Sequence, residues 1–223
     1  MSIAQFIDHT ILKPTTTVAD IKKICEEANE YQFAAVCVPP FYVSHAGRFL
    51  ANTKVGIATV IGFPFGYNYI PVKVKEVKKA IKDGAGELDM VINIAALKND
   101  NINYLEQEIE MILEITQAHN KTLKLIIESG ILSDSEIIKC CEFYGNYPIQ
   151  FLKTSTGYAE KGATIEAVRL MRTHLPPSIQ IKASGGIKSY TFAKGLIDAG
   201  ATRLGSSASI TIVNNEPVGN SGY

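Results

Sequence analysis

Short apolar runs, largely β-branched, recur along the chain with amphipathic stretches between them. The runs are A-A-V-C-V-P (34–39), V-G-I-A-T-V-I (55–61), E-L-D-M-V-I-N (87–93), L-K-L-I-I-E (123–128), I-Q-F-L-K-T (149–154), I-Q-I-K-A-S (179–184) and T-R-L-G-S-S (202–207). Their nearly continuous apolar character is that of strands buried on both faces. Between them the spacing turns helical: Ile21, Ile24, Cys25 and Ala28 share one face, and Leu105, Ile109, Ile112 and Leu113 another. S-D-S-E at 133–136 reads as a capping box, and Thr164 precedes the apolar face of a further helix. K-D-G-A-G-E-L-D-M and I-D-A-G-A-T-R-L-G each place a glycine at a helix C-terminal cap just before a strand.

These are seven strands, and D-H-T-I-L (8–12) supplies a short eighth ahead of a helix starting near Val18. Eight strand-helix units predict a single (β/α)8 barrel, an α/β fold, over residues 1–213, followed by a polar, flexible tail at 214–223. The competing doubly wound open sheet would carry G-x-G-x-x-G after its first strand, and that fingerprint is absent.

Length and composition agree with one domain: 223 residues, 46% of them hydrophobic. Lys plus Arg (22) equals Asp plus Glu (22), so there is no cationic excess for a phosphate backbone, and nucleic acid is not an expected partner. No apolar run has membrane-spanning length, and the first residues lack the basic-then-apolar plan of a signal peptide, so no membrane partner and a cytoplasmic location are expected. Cys25, Cys37, Cys140 and Cys141 form no C-x-x-C pair and the four histidines are scattered. Free thiols and no metal site follow.

In a (β/α)8 barrel the chemistry sits at the C-terminal ends of the strands. Asp89 interrupts one apolar strand, Lys153 ends another, and Lys182 holds the corresponding place one unit later. An ammonium inside a barrel must be paired or give up its proton. Two on adjacent strands repel, and desolvation works the same way, so one amine is expected to be neutral and nucleophilic near neutral pH. Such an amine attacks an aldehyde to form an imine, with Asp89 placed to relay protons through water. Glycine turns follow both lysines, K-T-S-T-G (153–157) and K-A-S-G-G (182–186), and L-G-S-S (204–207) ends the last strand. Converging there, backbone N–H groups suit a phosphate. Asn93, four residues beyond Asp89, is expected to face the mouth too. Cys37 reads as a buried small hydrophobe and His9 as a structural hydrogen-bonder, outside the site.

Taken together, D-H-T-I-L-K-P, G-F-P-F-G, G-A-G-E-L-D-M-V-I-N, F-L-K-T-S-T-G and I-K-A-S-G-G-I resemble the deoxyribose-phosphate aldolase family over nearly the whole chain. The resemblance implies a class I aldolase of deoxyribonucleotide catabolism. It would reversibly cleave 2-deoxy-D-ribose 5-phosphate to D-glyceraldehyde 3-phosphate and acetaldehyde through a lysine Schiff base, without metal or organic cofactor. It further implies Lys153 as the imine-forming lysine, Lys182 as the residue that perturbs it, and Asp89 as the proton relay. Asp8, Thr10, Lys13 and Thr156 become substrate contacts; Gly157, Gly185, Gly186, Gly205, Ser206 and Ser207 become phosphate contacts. The final Tyr223 matches a tyrosine implicated in proton transfer at the enamine carbon. Barrels of this family pair as dimers or larger homo-oligomers, so a homo-oligomer is expected. Tyr158 stands where some members carry a phosphate-binding lysine, which leaves more of the phosphate charge to backbone dipoles. Ser129 replaces a common threonine and keeps its hydroxyl. Another lysine-dependent barrel lyase and a sugar-phosphate-binding regulatory barrel are the alternatives that the lysine pair and the turns must be weighed against.

Overall fold

The computed structural model describes residues 2–215. Residues 216–223, and with them the role expected for Tyr223, lie outside the described residues. Eight parallel strands form a closed barrel in sequence order: β1 Ile7–Thr10, β2 Ala35–Val38, β3 Gly56–Ile61, β4 Glu87–Val91, β5 Thr122–Ile126, β6 Phe151–Lys153, β7 Gln180–Ser184 and β8 Arg203–Ser206. β1 closes the ring on β8 through Ile7–Leu204, Asp8–Gly205 and His9–Ser206. The helices are α1 Val18–Tyr31, α2 Val43–Phe49, α3 Ile70–Lys82, α4 Ile94–Lys98, α5 Ile102–Ala118, α6 Asp134–Tyr144, α7 Ile165–His174, α8 Tyr190–Asp198 and α9 Ser209–Val213.

The predicted barrel is thus the observed one, and the chemistry of the helix ends explains its punctuation. Thr17 with Asp20, and Ser133 with Glu136, form reciprocal capping boxes at the starts of α1 and α6. Thr164 caps α7 by accepting from the Ala167 N–H. At the end of α3, Gly84 and Ala85 donate back to the Ile81 and Ala80 carbonyls; at the end of α8, Gly200 and Ala201 repeat the pattern on Ile197 and Leu196. The short helices α2, α4 and α9 were not anticipated, since five to seven residues give too few turns for a period to show. α4 also shortens its strand: Asn93 caps α4 through Ala96 N–H, so β4 stops at Val91 rather than running to residue 93.

Strand alternation sorts the side chains into two layers. Ile7, Val36, Leu88, Met90, Leu123, Leu125, Leu152, Ile181, Ala183 and Leu204 point outward and join the helices in the main apolar core. On the β2–β3 side, Ala35, Cys37, Ala58 and Val60 form a separate small apolar cluster. Facing it from β1 and β4 through β8 are Asp8, Glu87, Asp89, Lys124, Lys153, Lys182 and Arg203, joined to one another by ion pairs. The apparent continuity of the strands was therefore a mixture: apolar outside, half charged inside.

A second buried pair holds the end of β4. Lys73 Nζ on α3 donates to Glu108 Oε1 on α5 at 2.7 Å and to the Val91 carbonyl at 2.7 Å, and Glu108 Oε2 accepts the Asn93 N–H at 3.1 Å. Burial pushes the Lys73 amine down and the Glu108 carboxyl up from their usual values, opposed in each case by the partner. Leaving one member of such a pair unpaired costs about 3–5 kcal/mol, whereas replacing both with apolar residues is often neutral. Glu108→Leu alone is expected to lower the urea midpoint strongly, and Lys73→Met/Glu108→Leu to recover most of the loss. Equilibrium unfolding of the two variants checks this.

Candidate active site

Asp89 is the hub of the barrel interior. Its Oδ2 accepts from Lys153 Nζ at 2.7 Å and Lys182 Nζ at 2.6 Å, and its Oδ1 accepts from Lys124 Nζ at 3.0 Å. The register creates this convergence, because Asp89 lies beside Lys124 across β4–β5 and Lys153 beside Lys182 across β6–β7. Asp8 forms the second carboxylate centre. Its Oδ2 accepts from Lys182 and, at 3.1 Å, from Lys124, while Oδ1 takes Arg203 Nη1 at 2.6 Å. Glu87 closes the network by pairing with Lys124 and, at 3.2 Å, with Arg203. Phe151 lies beneath two of the cations, its ring centroid 6.0 Å from Lys124 Nζ and 5.5 Å from Arg203 Cζ.

Burial and charge divide the bases into two kinds. Desolvation works against every buried ammonium, but at Lys124 and Lys182 it is overcome by Asp8 and Asp89, and both are held above the usual lysine value. At Lys153 desolvation is the largest effect, Asp89 opposes it, and the Lys182 cation adds to it; the amine is held below its ordinary value. Solvation thus leads and the neighbouring cation assists, a different order from the mutual repulsion inferred from sequence. Among the described residues Lys153 has one carboxylate contact, which it shares with Lys182 on the same oxygen, whereas Lys124 has three. Asp8 and Asp89 are held well below the carboxylate range, the cations around them outweighing burial.

Lys153 opens into a cleft of about 450 Å³ at the C-terminal end of the strands. Thr10, Lys13, Thr156, Gly157, Gly185, Gly186, Gly205, Ser206 and Ser207 all line it, as do Tyr158 and Lys188. Gly185 has φ +89°, and a Cβ at that position would stand 2.9 Å from the Gly162 Cα, so the turn requires glycine at that crossing. Tyr158 reaches over from the β6 side and donates to the Leu12 carbonyl at 2.7 Å. Glu128, at φ +55° after β5, accepts the Thr156 N–H at 3.2 Å and its hydroxyl, which fixes Thr156 against the cleft. A larger depression of about 590 Å³ lies between α1 and α9, lacks Lys153, and is lined by Asp20, Lys23, Glu27 and Thr211 among others.

Two of the expected contacts, Asp8 and Asn93, do not line the cleft. Asp8 is wholly buried among the interior cations, where it accepts from Lys182. Asn93 also stays out of the cleft, because its side-chain oxygen caps α4. Ser206 lines the cleft, but its hydroxyl donates to the Ile187 carbonyl at 2.7 Å and accepts the Ala208 N–H at 2.9 Å. Cys37 lies in the small apolar cluster, and burial pushes its thiol up to about 11. His9 points outward to Ser209 Oγ at 3.0 Å and Glu27 Oε2 at 2.8 Å. Lys124, Arg203 and Glu87 were missed, although a charge inside an apolar strand, the signal that singled out Lys153, was present in L-K-L and T-R-L. Among the described residues no helix is long and apolar enough to cross a membrane.

Residues 2–213 match the family model described as DeoC/LacD family aldolase. A deoxyribose-phosphate aldolase of Caldanaerobacter subterraneus subsp. tengcongensis is 48% identical over 214 residues, 96% of this chain and 93% of that protein. One of Clostridium novyi is 44% identical over 223 residues, covering 100% of both. Among solved structures, a tetrameric deoxyribose phosphate aldolase from Aeropyrum pernix superposes with a TM-score of 0.89 at 27% identity, over 95% of this chain and 89% of that one.

Removing the hub carboxylate and removing the poorly paired amine affect stability in opposite ways. Asp89→Asn leaves the lysines uncompensated and is expected to cost about 3–5 kcal/mol, while Lys153→Met deletes a desolvated amine and leaves the urea midpoint unchanged or raised. The pH dependence has a definite sign. Because Asp89 is depressed in the folded state, its contribution is complete above the unfolded carboxylate value near pH ~4 and is lost as pH falls towards the folded value. Acid unfolding of Asp89→Asn should accordingly lack part of the wild-type pH dependence.

Proposed function

Since the chain belongs to the DeoC/LacD aldolase family, we propose that it reversibly cleaves 2-deoxy-D-ribose 5-phosphate to D-glyceraldehyde 3-phosphate and acetaldehyde through an imine on Lys153. One observation carries the reading: the buried amine held below its ordinary value is also the one that opens into a cleft walled by glycine turns.

The Lys153 lone pair adds to the C1 aldehyde carbon, and the carbonyl oxygen leaves as water after two proton transfers. In the protonated imine the C2–C3 bond breaks as a base takes the C3 hydroxyl proton. C3 leaves as the aldehyde of glyceraldehyde 3-phosphate, and the bond pair becomes an enamine on C2. Protonation at C2 and hydrolysis release acetaldehyde and return the amine. Asp89, 2.7 Å from Lys153 Nζ, is the relay for these protons through water. Lys182 keeps its charge beside that carboxylate, so Asp89 stays ionised and Lys153 does not regain a proton. Tyr223 is assigned the proton transfer at the enamine carbon on the family resemblance.

The phosphate is placed against Gly157, Gly185, Gly186, Gly205 and Ser207, where backbone N–H groups meet an anion, with Lys13 and Lys188 supplying positive charge on the same cleft. Thr156, oriented by Glu128, is placed to hold a sugar hydroxyl. A homo-oligomer and a cytoplasmic location complete the proposal.

Borohydride added in the presence of acetaldehyde should leave an ethyl group on Lys153, readable by peptide mass analysis; an unmodified Lys153 peptide in active protein would falsify the assignment. Lys182→Met is expected to slow cleavage at least ~100-fold and to move the acidic limb of kcat/KM to higher pH, because the remaining amine then has Asp89 to itself. A rate loss without a shift of that limb would assign Lys182 a different role. Acetaldehyde release from deoxyribose 5-phosphate separates this reaction from that of a lyase acting on a ketose phosphate.

A further inference from the structure

At the N-terminal end of the barrel, opposite the cleft, Glu87 and Arg203 are the part-exposed members of the interior network. Neither reaches the cleft or Lys153. We propose that they are positioning residues that fix the ion-pair count of the barrel interior and so make Lys153, rather than Lys124 or Lys182, the base left without a carboxylate of its own. This rests on Lys153 being the imine-forming residue.

Charge and contact together set this order. Among the described residues the network holds three carboxylates, Asp8, Glu87 and Asp89, and four bases, Lys124, Lys153, Lys182 and Arg203. A buried cluster with an unbalanced charge is costly, and a lysine can relieve the cost by losing a proton, which arginine cannot. Three carboxylates sustain three cations. Arg203 takes its place through Asp8 and Glu87, Lys124 through all three carboxylates, and Lys182 through Asp8 and Asp89. Lys153 is left with a share in one oxygen of Asp89. The directions in which burial and neighbours move Lys124, Lys182 and Lys153 agree with that order.

Among the described residues, the other groups facing Lys153 are common to every variant. Asp89 from β4 and Lys182 from β7 are already counted, and Cys37 from β2 keeps its proton. Glu128, after β5, is a further carboxylate that feels the Lys153 charge; it is engaged with Thr156 and makes no contact with Glu87 or Arg203. β3 presents Ala58 and Val60.

The two residues should therefore act on Lys153 with opposite sign. Without Arg203, three carboxylates face Lys124, Lys182 and Lys153, and Lys153 keeps its proton to higher pH. Without the Glu87 charge, two carboxylates face three cations before Lys153 is counted, and Lys153 loses its proton more readily. The test mixes each protein with acetaldehyde for a fixed short time across a pH series, quenches with borohydride, and reads the ethyl adduct on Lys153 by mass analysis. The midpoint of adduct formation is expected to rise by about one pH unit in Arg203→Met and fall by a similar amount in Glu87→Gln. It should hold at the wild-type value in Arg203→Lys, and return towards it in Glu87→Gln/Arg203→Met. Structural damage alone has no sign, so a midpoint that stays put in whichever of Arg203→Met and Glu87→Gln folds, or that moves the same way in both, overturns the proposal. Wild-type protein that forms no adduct on Lys153 is a separate outcome, which removes the imine reading itself.

Discussion

A single carboxylate, Asp89, wholly buried, receives hydrogen bonds from three lysines inside the barrel. Placing even one ionised group there carries a large desolvation cost, and the arrangement persists because each charge is met at hydrogen-bonding distance by an opposite one. The cost is not spread evenly. Lys124 and Lys182 sit between two or more carboxylates and are held above the usual lysine value; Lys153, which opens into the cleft, has a share in one oxygen of Asp89 and is the one that burial pushes towards neutrality. Unequal compensation of the charges, and not the residue type, sets Lys153 apart from the other two lysines.

The fold supplies that inequality through register. In a closed parallel barrel, neighbours across strands are set by the stagger of the ladder, so Asp89 meets Lys124 and Lys153 meets Lys182 without any local motif that brings them together. Outward-facing residues of the same strands join the apolar core against the helices. The interior is left free to depart from the usual apolar filling, and does so on one side while Ala35, Cys37, Ala58 and Val60 fill the other. Lys73 and Glu108 hold the end of β4 by its backbone, which keeps the strand that carries Asp89 from fraying at the point where α4 begins.

This division explains what could be read from the sequence. The barrel was legible because its strands and helices differ in period and its caps have distinct chemistry, as at Ser133 and Gly200. Lys153, Lys182 and Asp89 were legible because each breaks an apolar run. Lys124 and Arg203 break their runs too, yet without register nothing in L-K-L or T-R-L says which carboxylate they meet. What the sequence could not show shares a cause: Asp8, Asn93 and Ser206 lie in the right region, but their side chains are engaged by partners that only the folded chain provides. The glycine turns could be assigned to one cleft because a parallel barrel brings all strand C-termini to one end.

The choice between lysine and arginine within the network has a physical logic. Arginine keeps its proton at any ordinary pH, so at position 203 it is a fixed positive charge against which Asp8 and Glu87 stay ionised. Lysine carries a compact charge that burial can remove, so the residues nearer the cleft are the ones whose protonation responds to their surroundings. Charge is pinned at the closed end and adjustable at the open end. Carboxylates alternate between them, and the contacts that link Glu87 and Arg203 to Lys153 run through Asp8, Lys124, Lys182 and Asp89. An amine placed this way has no contact with Glu87 or Arg203, and its protonation is tied to the barrel interior as well as to the cleft.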